Sequence, residues 1–430
     1  MNLYKKTTLN NGLRIITIPI ENANSVTVLI LVGTGSKYET KDINGISHFL
    51  EHMFFKGTKK RPSTLKISET LDSVGGEYNA FTSKEITGFY AKVDKKHFGV
   101  ALDWISDIFL NSEFNGKEVE REKGVIIEEM NMYLDTPTAY LGDLWEKLLY
   151  GDQPAGWMTI GGKENILSFN REKIVDYYKA HYAPSNVIVC ISGAVGKNSE
   201  GDKVVVDQIK KYFGKEKESE TKQKIKVAEK QLEPQVLVHH KKTDQTHFCL
   251  GVRAYDMFDK RRYTLALLSI ILGGNMSSRL FIKVRERNGL AYSIHTSADN
   301  STDTGYLVTQ AGIDHKNLEK CIKLILKEYE DLKNKKITEK ELQKAKDYIK
   351  GITSLSLDSS DSQASFYATQ ELLENDILTP EEKFKKIDAV SVNDIKKVAE
   401  DIFMPEKLNL AVIGPVEEKD SENLKKLLKL

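Results

Sequence analysis

DYYKAHYAPSNVIVCISGAV, Asp176 to Val195, reads as a helix that runs into an aromatic-x-Pro stop and then an apolar strand closed by Gly-x-Val. The chain spells this layout again as KKVAEDIFMPEKLNLAVIGPV, Lys396 to Val416. Pro184 and Pro405 lie 221 positions apart, as do Gly193 and Gly414, and Ile174 and Ile395. A repeat of that length means two tandem copies of one unit. Within the first copy, Asn11-Gly12 marks a turn into Leu13 to Ile20, and that segment and Ser25 to Val32 read as two antiparallel strands rich in Ile, Val and Leu. The expected class is α+β, with two tandem homologous domains, each a mainly antiparallel sheet covered by helices.

Composition sets the boundary between the copies. Gly196 to Pro234 is dominated by Lys, Glu and Gln, with GKEKESETKQK at its centre, the mark of a solvated connector. The expected organisation is a first domain over 1–200, a charged connector over 201–234 and a second domain over 235–430. Lys+Arg of 63 against Asp+Glu of 62 leaves no charge excess to draw nucleic acid or an anionic membrane. Cys190, Cys249 and Cys321 are widely spaced, and no disulfide framework or thiolate metal site is visible. No apolar run approaches a membrane span, and Met1 to Lys6 carries no apolar signal core, so the expected location is cytoplasmic.

Chemistry concentrates at His48-Phe49-Leu50-Glu51-His52. Ile46 to Phe55 lacks Pro and Gly and suits a helix, in which residues i and i+4 share a face. His48 and His52 then offer two imidazoles to one metal ion, with Glu51 beside the water such an ion holds. The spelling is His-x-x-Glu-His, the inverted zincin pattern. The plainer alternative is a half-exposed helix whose histidines and carboxylate pair with one another. A hydrolytic zinc site takes three protein ligands and leaves one position open. Glu118 to Met130 is a helical stretch in which Glu122 and Glu129 fall two turns apart on one face, with Glu128 about 100° away. Either it supplies the third ligand or it is a solvated carboxylate stripe.

SHFLEHMFFKGT (Ser47 to Thr58), followed by VIIEEM ending at Met130, resembles the pitrilysin/insulinase-type inverted zincins, a group that includes the mitochondrial processing peptidases and their two-domain bacterial relatives. The likeness extends along nearly the whole chain. It implies His48, His52 and Glu129 as ligands of one Zn2+ per chain, Glu51 as general base, and Glu122 as a carboxylate that supports the site without binding metal. It implies that Glu77 to Thr82 is an open sheet edge on which extended peptide pairs backbone to backbone, making Asn79, Ala80 and Phe81 substrate contacts. Arg285 and Tyr292, seven apart in RERNGLAY, resemble the family's Arg/Tyr pair at the scissile region. The alternative for these two is an Arg on a helix surface and a Tyr in a core strand.

The copies are not chemically equal. Ser269, Leu272 and Gly273 stand 221 positions after His48, Glu51 and His52, and Lys350 stands 221 after Glu129. The second copy keeps the fold pattern without the metal set. The expected function is zinc-dependent endopeptidase action on unfolded or presequence-like peptides inside a closed chamber. In two-domain relatives two subunits face one another, so a homodimer with sites completed in trans is expected. Co2+ and Mn2+ also suit two imidazoles and a carboxylate. The competing class is a non-catalytic subunit of a respiratory or processing complex, or a regulator with structural zinc. A structural site wants four ligands, and no fourth is apparent near the motif.

Overall fold

The computed structural model describes residues 3–196, 199–217 and 220–430. The first copy runs β1 (Lys5–Thr8), β2 (Arg14–Pro19), β3 (Ser25–Val32), α1 (Ile46–Met53), α2 (Thr64–Asp72), β4 (Glu77–Thr82) and β5 (Thr87–Asp94). It continues with α3 (Phe98–Asn111), α4 (Gly116–Asp135), α5 (Pro137–Tyr150), α6 (Lys163–Ser168), α7 (Arg171–His181), β6 (Val187–Gly193) and α8 (Ser199–Phe213). The second copy runs β7 (Gln235–His240), β8 (Thr246–Arg253), α9 (Arg262–Gly273), β9 (Ala291–Asn300), β10 (Gly305–Ile313) and α10 (Leu318–Asn334). It closes with α11 (Glu339–Ser356), α12 (Ser360–Glu374), α13 (Pro380–Asp388), α14 (Val392–Ile402), β11 (Leu408–Gly414) and α15 (Ser421–Leu427). A shift of 221 carries β2, β3, β6 and α7 onto β7, β8, β11 and α14 residue for residue.

The two sheets repeat one strand order, β1-β2-β6-β3-β5-β4 and β7-β11-β8-β10-β9. The pairs β2–β6 and β7–β11 are parallel and the remaining ladders antiparallel. The fold is therefore mixed α+β with antiparallel-dominated sheets.

By contacts, one compact unit comprises 1–130, 158–225 and 355–379, and the other comprises 131–157, 226–354 and 380–430. The first unit thus includes α12 from late in the chain, and the second includes α5 from early in it. In the first unit α12 covers β2, β3 and β6, where Ala364, Tyr367, Ala368 and Leu372 meet Ile16, Ile18, Leu29, Leu31, Ile188 and Cys190. Helices α1 and α3 lie against the sheet at β3, β4 and β5. With helices on both faces every position of β6 is buried, and so is all of β3 after Ser25, which is why both read as unbroken apolar runs. In the second unit α9 packs on β9 and β10, and α5 packs on β7, β8 and β11.

Gly33 to Gly45, which connects β3 to α1, holds two short 3₁₀ turns, Ser36–Tyr38 and Lys41–Ile43. It is largely buried, with Thr34, Ser36, Lys37 and Glu39 all out of solvent. Those polar groups are tolerated because they are bonded, Lys37 to Glu85 at 2.9 Å for example. The three cysteines are free and buried, and no helix among the described residues is long and apolar enough to cross a membrane.

Candidate metal centre

Helix α1 buries Ile46, Phe49, Leu50 and Met53, which turns His48, Glu51 and His52 together toward the partly open side. Its start is fixed from outside the helix. Gly45 takes φ 101°, where glycine is favoured, and a Cβ there would stand 2.6 Å from the Ile160 carbonyl oxygen. The buried Glu39 carboxylate accepts from the backbone N–H groups of Gly45 and Ser47, each at 2.8 Å, and from Asn44 Nδ2 at 2.9 Å. An acidic group at the positive end of the helix satisfies donors that the first turn leaves open. Burial, the larger influence, raises the Glu39 pKa against the pull of these donors. At the other end Phe54 is fully buried against Phe89, Phe109, Phe114, Tyr178 and Tyr182.

Helix α4 brings Glu122 and Glu129 to the same place. Glu129 Oε1 is 3.6 Å from His48 Nε2 and Glu129 Oε2 is 3.3 Å from His52 Nε2. The histidine rings stand 4.7 Å apart. Two donors bound to one tetrahedral zinc at the usual bond lengths are about 3.3 Å apart, so these spacings suit three ligands of a single ion. Among the described residues, His48, His52 and Glu129 are the one His/Cys/Asp/Glu group whose ligand atoms gather within 4.8 Å. The donor set fits Zn2+: two imidazole nitrogens, one carboxylate and a side left open.

Glu122 is 2% exposed and does a different job. Its Oε1 is 2.8 Å from His52 Nδ1, and its Oε2 is 2.6 Å from Lys56 Nζ. Binding Nδ1 leaves Nε2 of His52 as the nitrogen that can ligate a metal and fixes the ring plane. Burial opposes charge on Glu122, but the bonds from His52 and Lys56 outweigh it and lower its pKa. The Glu129 carboxyl is held well below the ordinary range by its bonds to His48 and His52. Burial works to lower the His52 pKa, yet Glu122 and Glu129 raise it to about 9. The cleft thus favours positive charge where a metal would sit.

Glu51 stands beside this group without joining it. Burial raises its pKa, and the hydroxyl of Thr82, donating to Oε2, partly opposes that. Thr82 ends β4, which pairs only with β5 and is an edge of its sheet. The edge N–H of Ala80 is taken by the Asn79 side-chain oxygen at 2.9 Å. Strand alternation sends Ala80 and Thr82 to the face carrying Glu51. Phe81 points to the other face, where its ring lies over Gly88 near Leu31. The structure thus brings His48, Glu51, His52, Glu122 and Glu129 together, with Asn79 and Ala80 on the nearby edge and the Phe81 ring turned away.

Arg285 and Tyr292 belong to the second unit. Arg285 lies in a π-helical turn, Phe281–Glu286, its guanidinium carbon 4.7 Å from the Phe281 ring centroid and 4.9 Å from that of Tyr292. Tyr292 is 80% exposed at the start of β9. It is not the core tyrosine of the plainer reading.

Three residues outside the sequence-derived set enter the site: Glu39, Lys56 and Thr82. Lys56 lies three residues past the end of α1 and enters through Glu122, so helical spacing from His52 does not place it. Thr82 shares strand parity with Ala80, which was visible in the sequence. Glu39 left no local signal.

Known proteins resemble this chain along most of its length. The profile of the insulinase family, peptidase family M16, matches residues 14–161, and that of the M16 inactive domain matches residues 168–349. YmxG of Bacillus subtilis, named as an uncharacterized zinc protease, is 38% identical over 414 residues, 96% of this chain and 98% of that one. The crystal structure of a protease from Helicobacter pylori superposes with a TM-score of 0.88 at 26% identity, covering 96% of this chain and 99% of that chain. A chain of complex III from Candida albicans has the same fold, with a TM-score of 0.84 at 20% identity over 99% of this chain and 100% of that one.

Proposed function

Because the chain belongs to the insulinase family of peptidases, M16, we propose that it is a zinc-dependent endopeptidase acting on extended, unfolded peptides, presequence-like segments among them. The observation that carries this reading is the convergence of His48, His52 and Glu129 with Glu51 at their side. Zn2+ bound by the three ligands supplies Lewis-acid activation of water and of the scissile carbonyl at neutral pH. Glu51 takes the proton of the attacking water and hands it to the leaving amine. Its raised pKa suits a group that must both accept and release a proton. Glu122 and Lys56 hold His52 in its ligating tautomer. The β4 edge takes the peptide backbone, with Asn79 yielding the Ala80 N–H to a substrate carbonyl.

Arg285 and Tyr292 serve as donors to the peptide around the scissile bond, Tyr292 toward the developing oxyanion. Exposure of Tyr292 and its stacking on Arg285 support this role. The reading includes a homodimer that encloses substrate in a chamber and supplies this pair in trans. Mixing Glu51→Gln chains with Arg285→Ala/Tyr292→Phe chains then restores partial activity, and no restoration in verified mixed dimers counts against trans completion. The fold alone would also suit a non-catalytic subunit, since a chain of a larger assembly, complex III of Candida albicans, shares it. The complete set of His48, Glu51, His52 and Glu129 favours the enzyme.

The test is hydrolysis of an unstructured peptide of about twenty residues, with zinc measured on the same sample before and after o-phenanthroline. Expected are cleavage with about one zinc per chain, loss on chelation and recovery with Zn2+. Glu51→Gln keeps zinc and loses turnover. Turnover by Glu51→Gln at the wild-type rate removes the base assignment, and absence of zinc removes the reading itself.

A further inference from the structure

We infer that Thr82 is the positioning residue for Glu51, so that the strand offering its edge to the peptide also aims the base. The inference rests on the reading of Glu51 as general base. Glu51 has three rotatable side-chain bonds, and a base is useful only when its oxygen stands within hydrogen-bond reach of the proton it takes. The Thr82 hydroxyl donates to Oε2, which leaves Oε1 as the oxygen available to water. Threonine suits the task because its branched Cβ restricts χ1 in a strand.

The backbone beneath Thr82 is firmly held. Thr82 pairs with Thr87, which is fully buried and donates through Oγ1 to the Thr34 carbonyl at 3.1 Å. The turn that follows is closed by Ser83 N–H to the Ile86 carbonyl at 2.8 Å and by Ile86 N–H to Ser83 Oγ at 3.1 Å. The Ser83 and Lys84 carbonyls accept from the backbone N–H groups of Ser36 and Lys37. Gly35 makes that approach possible, since a Cβ there would stand 2.2 Å from the Ser83 carbonyl oxygen. Beneath the turn, the Glu85 carboxylate is paired with both Lys37, at 2.9 Å, and Lys224, at 2.7 Å. The hydroxyl is thus mounted on a fixed point, and Ala80, two residues earlier on the same face, offers the edge N–H. Peptide backbone and base are located by one strand, which keeps the scissile bond and Glu51 in register whatever side chains the substrate carries.

The test compares Thr82→Val, which keeps the shape and loses the hydroxyl, with Thr82→Ser, which keeps the hydroxyl. Expected for Thr82→Val is a kcat about 10–100-fold down, the scale of a small misplacement of a reacting group. KM should stay within about twofold, and zinc content and unfolding midpoint should match wild type. Thr82→Ser should recover most of kcat. Wild-type kcat in Thr82→Val, or Thr82→Ser no faster than Thr82→Val, overturns the inference. Glu51→Gln in parallel separates the two claims. If it is inactive while Thr82→Val is unimpaired, only the role of Thr82 falls; if it turns over normally, the base assignment falls first.

Discussion

Glu122→Gln tests how far the metal site depends on a residue that does not touch metal. The substitution keeps shape and an acceptor oxygen for His52 Nδ1, now 2.8 Å from Glu122 Oε1. It removes the charge, and sets an amide NH2 or a weaker oxygen against Lys56 Nζ, now 2.6 Å from Oε2. His52 then donates to a poorer acceptor and becomes a poorer zinc ligand. Loss of such a supporting carboxylate costs about 10–100-fold in metal affinity, which is about 1.4–2.7 kcal/mol. Competition with a chromophoric chelator at fixed pH reads the zinc Kd directly. Lys56→Met is the companion variant. Because Lys56 is linked to the ligands through Glu122, the two losses should add to less than their sum in the double variant. A zinc Kd within threefold of wild type in Glu122→Gln would refute the reasoning, since His52 would then need no anchor.

Phe54→Ala removes a fully buried ring from the end of the metal helix, where five aromatic rings surround it. Stability measured by denaturant should fall by about 3–5 kcal/mol, and a loss under about 1 kcal/mol would mean that this aromatic cluster does not anchor the helix. His181 is buried against the Tyr177 ring, and burial, with Lys222 nearby, lowers its pKa from 6.5 to about 4. The folded protein keeps it neutral while the unfolded chain takes a proton. Its contribution is fully present above pH 6.5 and is lost as pH falls through about 4, roughly 3 kcal/mol at 1.36 kcal/mol per pH unit. His181→Phe should therefore lose less stability than wild type between pH 7 and pH 4.5; equal losses would show that His181 does not drive the acid sensitivity.

Much of the architecture was legible because it is periodic. The offset of 221, read from Pro184 and Pro405, carries four elements across without slippage, since each copy must close the same sheet with the same helix stop. The pairing of His48, Glu51 and His52 was legible for a similar reason, the helix being a ruler. The carboxylates of α4 followed the same ruler, although spacing alone did not say which of Glu122 and Glu129 would meet the ligand nitrogens. What stayed hidden depends on chain return. Nothing near Glu39 announces a helix cap, because the N–H groups it accepts from are five or more residues on and reached only once the buried turns form. Likewise, nothing in the sequences of α5 and α12 says which sheet each covers, and only packing tells. Phe81 is instructive in a different way. Strand parity already separates it from Ala80 and Thr82, so the same alternation that placed the edge also turned its ring away.

The second copy lacks more than ligands. The counterpart of His52 is Gly273, and α9 lies so close to β9 that a Cβ there would stand 2.2 Å from Thr296 Oγ1. Thr296 cannot give way easily, being 1% exposed and bonded to Thr309 Oγ1 at 2.8 Å. The counterpart of His48 is Ser269, which donates to the Ala266 carbonyl within its own helix. Lys350, in the place of Glu129, is paired with Asp388 at 2.8 Å. Where the first copy keeps an open triangle of donors, the second has closed the helix onto the sheet and used the room for packing. A long side chain at Gly273 would have to lift α9 off β9 before it met any metal, exposing Leu268, Ile271 and Leu272, which are now buried. Restoring two histidines and two glutamates at the four equivalent positions would therefore not restore a site. The open face of the metal helix is a packing feature, and it is kept only in the copy that carries the ligands.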